Sequence, residues 1–177
     1  MLRLLLTPTV ALLAALGAPA LSRASGLQAA GGGPLAIVVH RSNPVDNLTL
    51  RELRRIFMLD TQTWPNGRKI TVVLREAGQP EREQGIRLIC GMSEADYERH
   101  VLFQTFRGQI GWGPRSIRSA AAMLRFVFNA PGAIGYVLAS ETNDSTKVLR
   151  IEGVLPLDPT YPLRLPPSQP QSARGTL

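Results

Sequence analysis

One cysteine, two histidines and two lysines are all that this 177-residue chain carries of those residue types. Cys90 alone cannot close an internal disulfide, and its setting in Ile86-Arg87-Leu88-Ile89-Cys90 reads as that of a small buried hydrophobe. His40 and His100 stand at no spacing from Cys90 that would hold zinc, so no metal site is expected and both read as surface or capping residues. The glycines Gly108, Gly111 and Gly113 neither follow a strand nor open a helix directly, which removes a nucleotide fingerprint. No Ser-His-Asp roles can be assigned, and the expectation is a protein without catalysis and without a cofactor.

A long apolar run is also missing. Leu4-Leu5-Leu6 and Val10 to Leu16 are separated by Thr7-Pro8-Thr9, follow a basic start at Arg3, and lead into Ala18-Pro19-Ala20 and Ser22-Arg23-Ala24. That layout is a secretory signal peptide over residues 1–24, with cleavage after Ala20 or Ala24; an uncleaved anchor helix is the alternative, disfavoured by the short run. No cysteine follows the apolar run, so a lipoprotein attachment signal is absent. The expected location is periplasmic or otherwise exported, as a soluble chain after cleavage.

Acidic residues are in deficit, 13 against 20 basic ones, for a formal charge of +7. Loss of Arg3 and Arg23 with the signal leaves 18 basic against 13 acidic residues, +5. A basic exported protein attracts anions or anionic surfaces, and export argues against nucleic acid as a partner.

What is present is enough for one core. Residues 25–34 are small and Gly-rich, a flexible leader; residues 35–155 form the expected domain; residues 156–177 hold six prolines without apolar periodicity, an extended segment followed by a disordered tail. Leu35 to Val39 is a continuous apolar run that suits a strand buried on both faces. Thr49-Leu50-Arg51-Glu52 has capping-box spacing ahead of a helix that carries Leu50, Leu53, Ile56 and Phe57 on one face. Lys69 to Leu74 is a second strand, and this β-α-β order argues for an α/β fold with parallel pairing.

Further on, Glu81 to Cys90 is a helix that Gly91 can end, and Ser93 opens another that runs to about Arg107-Gly108. Its Tyr97, Val101, Phe103 and Phe106 are expected in the core. Gly108 to Pro114 reads as a mobile surface loop. Ser116 is the expected cap of a helix with Ile117, Ala120, Ala121, Leu124, Val127 and Phe128 at helical spacing. Ala133 to Val137 and Lys147 to Ile151 are the remaining strands.

The stretch from Val72 to Glu83 concentrates the functional expectation. A strand ends in Arg75, a turn contains Gly78, and Pro80 sits at the first helical position after Gln79. Backbone N–H groups and the positive end of a helix dipole then converge beside a guanidinium, which is the composition of an anion site. An ion pair of Arg75 with Glu76, Glu81 or Glu83 is the plainer alternative, worth at most about 1 kcal/mol. Ser42 and Asn43, also at a strand end, either add donors on the same side or only shape the turn before Pro44.

Asn129-Ala130-Pro131-Gly132-Ala133-Ile134-Gly135-Tyr136-Val137 resembles the Pro-Gly-Ala-Ile-Gly-Tyr signature of phosphate-type periplasmic substrate-binding proteins of ABC transporters. Asn43-Pro44, the Leu48-to-Phe57 helix, Trp64 with Asn66-Gly67, the strand ending at Arg75, and Gly153-Val154-Leu155-Pro156 leading to Tyr161-Pro162-Leu163 follow that family's order over about residues 35–163. The resemblance implies a periplasmic-binding-protein-like lobe, α/β, with a small, mostly parallel sheet flanked by helices. It further implies non-covalent capture of phosphate or a related small oxyanion and delivery to a membrane permease or other envelope protein. Ligand residues implied or suggested are Arg75, Gly78, Gln79, Ser42 and Asn43. Where the family carries a Ser-Gly-Thr run, this chain has Gln79-Pro80-Glu81: two hydroxyls are lost, Pro80 has no N–H, and Glu81 adds a carboxylate. Two-lobed relatives are also about twice as long. An envelope interaction or sensing module that no longer binds phosphate is therefore the alternative.

Overall fold

The computed structural model describes residues 32–165. The expected signal peptide, most of the expected leader and the last twelve residues, 166–177, lie outside the described residues. In chain order the elements are β1 (Gly33–Val39), β2 (Asn47–Leu48), α1 (Leu50–Phe57), β3 (Thr71–Arg75), α2 (Pro80–Cys90), α3 (Glu94–Phe106), β4 (Arg115–Ile117), α4 (Ala120–Asn129), β5 (Ala133–Leu138), β6 (Lys147–Val148), β7 (Arg150–Ile151) and β8 (Arg164–Leu165).

The fold is α/β, with a central sheet in the order β4-β3-β5-β1-β6 and β8 also paired to β1. Its alternating side chains build two cores. Leu35, Ile37 and Val39 of β1 join Val72, Leu74, Ile134 and Tyr136 beneath α1, α2 and α3. Ala36 and Val38 point the other way, with Val73, Ala133 and Val137, against Met123, Leu124 and Val127 of α4. The continuous apolar run of β1 is thus explained by period-two alternation between two buried faces.

Strand direction departs from the expectation of parallel pairing. β3 runs parallel to both β4 and β5, but β1 is antiparallel to β5. The sheet is mixed, because β5 inserts between β1 and β3 and the β1-α1-β3 segment closes no parallel pair of its own.

The helix ends follow local chemistry. Thr49 and Glu52 form the capping box of α1, Pro80 opens α2, Gly91 closes it in the left-handed conformation, and the Ser93 hydroxyl accepts from the Asp96 amide to start α3. Three segments differ from their sequence reading. Arg115–Ile117 hydrogen-bonds along the open edge of β3, so α4 begins only at Ala120 with Ser119 as its cap rather than Ser116. On α3, Tyr97 is buried and Val101 is half-buried, whereas Phe103 and Phe106 are exposed. Tyr97 and Val101, one turn apart, take the core-facing side and leave the next positions to solvent. Lastly, the extended segment after Pro156 is part of the packed body as far as Leu165: Tyr161, Leu163 and Leu165 are buried in alternation, and the Tyr161 hydroxyl donates to Leu35 O at 2.8 Å. Gly33 and Pro34 likewise belong to β1 rather than to a leader.

Gly132 explains part of the signature turn. A Cβ there would stand 2.1 Å from the Lys69 carbonyl oxygen, while its own carbonyl accepts from Trp64 Nε1 at 3.0 Å and from the Thr71 amide at 3.0 Å. Since backbone blocks the space, Gly132→Ala is expected to destabilise by at least about 3 kcal/mol, the upper end of ordinary overpacking. Urea unfolding checks this; a loss below about 1 kcal/mol would mean that the turn shifts freely.

Candidate functional site

Arg75 is the last residue of the inner strand β3, half-buried where the chain leaves the strand. Gly78 then takes φ of +80°, a conformation that costs little only for glycine, and turns the chain into Gln79. Gln79 is the N-cap of α2, and its side chain makes no capping hydrogen bond. The amides of Arg82 and Glu83 turn back on the Gln79 carbonyl at 2.9 and 3.4 Å, and Pro80 has no N–H. Among the first three helical positions, only the Glu81 amide is left for an incoming anion.

Arg75 makes no ion pair among the described residues; Glu76 is bound by Arg118, and Glu83 by Arg87. Arg75 Nη1, Glu81 Oε2 and the Tyr136 hydroxyl are instead buried polar atoms without a hydrogen-bond partner among the described residues. All three side chains line one cavity of about 10 Å³, with Leu35, Ala120 and Glu141 at its sides. Such a volume holds about one water and no tetrahedral oxyanion. Burial pushes the Tyr136 hydroxyl well above its ordinary range, partly offset by the Arg75 main chain beside it, so Tyr136 is a neutral donor.

Ser42 and Asn43 do not join this group. Val72 of β3 aligns with Ile134 of β5, which aligns with Val39 of β1. Arg75 lies three residues beyond this line in one direction and Ser42 three residues beyond it in the other, roughly 20 Å apart along the strands at about 3.3 Å per residue. The antiparallel course of β1 is the cause. Both residues shape their turn: the Ser42 amide donates to His40 Nδ1 at 3.0 Å, and Asn43 Oδ1 accepts from the Val45 amide at 2.9 Å.

Arg82 is a residue of this region that the sequence does not single out. It is 7% exposed, and its guanidinium bonds Glu94, Glu98 at 3.2 Å, and the Arg75 carbonyl at 2.9 Å. Its one sequence signal was an arginine on the Ile86–Ile89 stripe of α2. By holding the Arg75 main chain, Arg82 positions the strand end that carries the candidate ligand group. Cys90 is 2% exposed and burial raises its thiol to about 12, which keeps it unreactive. No group of three or more metal-binding side chains occurs among the described residues.

A family model described as a PBP superfamily domain matches residues 26–163. The chain belongs to this family. Among solved PBP structures, an ABC-type phosphate transport receptor from Vibrio cholerae superposes with a TM-score of 0.63 at 26% identity, over 76% of this chain and 55% of that one. A putative phosphate ABC transporter substrate-binding protein from Clostridium perfringens, with bound phosphate, gives a TM-score of 0.62 at 22% identity, over 76% and 54%. PstS from Borrelia burgdorferi gives 0.61 at 15% identity, over 76% and 55%. The chain therefore spans about half the length of these similar structures. No helix among the described residues of this PBP lobe is long and apolar enough to cross a membrane.

Proposed function

We propose that this PBP lobe is an exported binding component that takes phosphate or a related oxyanion non-covalently at Arg75, Gly78 and Gln79, and passes it to a membrane permease or another envelope protein. The observation that carries this reading is a guanidinium without an ion pair among the described residues: Arg75 stands at a strand end, beside a helix N-terminus and the Tyr136 hydroxyl. Phosphate-type receptors among the similar structures support the ligand class. Capture requires Glu81 to turn out of the cavity that it shares with Arg75, and a lone lobe needs a second surface to cover the ligand. Affinity is accordingly low.

Glu81 also favours a second reading, an envelope interaction or sensing module whose own carboxylate has taken the place of the ligand. Thermal unfolding separates the two. A ligand at a hundredfold over its dissociation constant stabilises by about 2.7 kcal/mol, so tens of millimolar phosphate should raise the melting temperature, and Arg75→Ala should abolish the rise. Absence of any shift with phosphate, sulfate or arsenate leaves the second reading. A shift that survives Arg75→Ala places the site elsewhere.

A further inference from the structure

Between Glu98 and Glu141 the sequence contains no acidic residue and five arginines. The same stretch holds four of the large apolar side chains most open to solvent: Leu102 (56% exposed), Phe103 (54%), Phe106 (81%) and Trp112 (86%). The first three share one side of the end of α3, at spacings of one, three and four residues, and Trp112 stands on the Gly108–Pro114 loop that follows. We propose that this face docks on an anionic lipid bilayer, with the aromatic side chains entering the interface and the arginines meeting the headgroup phosphates.

Three observations support that occupant. Arg107 lies 4.1 Å over the ring of Phe103, which joins a cation to the apolar side of α3, and Leu102 of that side shares a hollow with Gly113 and Pro114 of the Trp112 loop. Trp112 borders a hollow of about 320 Å³ whose charged members are Lys69 and Arg115, with no carboxylate among its lining residues. Of the acids near this face, Glu98 is paired with Arg82 at 3.2 Å, while Asp60 meets only the neutral amide of Gln104. Tryptophan and phenylalanine beside arginine is the composition that prefers the boundary between headgroups and acyl chains, and each cation near an anionic membrane adds about 1 kcal/mol. A second copy of the chain is a poor occupant, because two-fold self-docking would press Arg107, Arg115 and Lys69 against the same cations of the copy.

The two tryptophans supply the test. Trp64 is 4% exposed and Trp112 is 86% exposed, and no other tryptophan exists in the chain, so emission changes on docking report Trp112. The full chain is titrated with vesicles of equal parts phosphatidylglycerol and phosphatidylcholine, and with vesicles of phosphatidylcholine alone. A blue shift is expected with the anionic vesicles and not with the neutral ones, weakening as salt rises. Arg107→Ala with Arg115→Ala should weaken that response by roughly thirtyfold, the loss of two cations at about 1 kcal/mol each, with the melting temperature unchanged. Binding through the N-terminal apolar segment is common to both proteins and leaves Trp112 in water. Unmoved Trp112 emission overturns the proposal, as does an equal shift with neutral vesicles. So does a shift produced at lower concentration by a single-stranded oligonucleotide or an acidic polypeptide, or concentration-dependent self-association that buries Trp112 without lipid.

Discussion

The triple substitution Gln79→Ser, Pro80→Gly, Glu81→Thr is expected to raise phosphate affinity by about a hundredfold, a gain of about 2.8 kcal/mol. It restores two hydroxyl donors and one backbone N–H at the start of α2, and hydrogen bonds to a charged acceptor contribute about 1.5 to 3 kcal/mol each. It also removes the Glu81 carboxylate, which lines the same small cavity as Arg75. A dianion close to that carboxylate is opposed by several kcal/mol even at an effective dielectric of about 20. The expected total stays below the sum of these effects, because an open lobe leaves water at the ligand and the contributions overlap. Calorimetric titration of the triple variant and of Glu81→Gln alone separates the causes. If Glu81→Gln recovers most of the gain, charge is the barrier; if it recovers little, missing donors are. A triple variant that binds no tighter than the natural chain would show that the family's ligand position is not preserved here. Replacing Pro80 also removes a residue pre-set for the first helical turn, so some stability should be lost, on the order of 1 kcal/mol.

Arg82→Ala should cost about 3 to 5 kcal/mol of folding stability, the range for breaking a buried charge pair from one side. Its side chain is 8% exposed and that of Glu94 is 22% exposed, so removing the arginine leaves a largely buried carboxylate without its partner. Glu98, at 55% exposure, can turn to water and adds little. The Arg75 carbonyl and the Ser116 hydroxyl lose a donor at the same time. Arg82→Met with Glu94→Leu should recover much of the loss, since well-packed apolar groups often replace a buried ion pair without penalty. Urea denaturation measures both variants. A loss under about 1 kcal/mol for Arg82→Ala would mean that water reaches Glu94 and that the network is effectively a surface one. Because Arg82 holds the Arg75 main chain, the single variant should also weaken any phosphate response, while the double variant tests whether that weakening follows stability or position.

The two sites differ in how far they could be read from residue order. Arg75, Gly78 and Gln79 are neighbours along the chain, and the signals that bring them together lie within ten residues: an apolar strand, a glycine at positive φ, and a proline at the first helical position. Arg82 sits in the same stretch, yet its partners are twelve and sixteen residues further on in α3, and nothing local pairs them. Ser42 and Asn43 occupy a strand end as expected, but which end of the sheet that is depends on the direction of β1.

The sequence alone determined the α/β class, the two-faced burial of β1, the caps of α1, α2 and α3, and the local corner that presents Arg75, since periodicity and capping are settled by contacts within one or two turns of chain. Only the tertiary structure decided that β1 runs antiparallel to β5 and so separates Ser42 and Asn43 from Arg75. It also decided that Phe103 and Phe106 face solvent and that Glu81 shares a cavity with Arg75 and Tyr136. Strand direction and helix facing are set by which distant segment fills the neighbouring place in the sheet. That choice is made by burial and hydrogen bonding across the whole domain rather than by any residue's immediate neighbours.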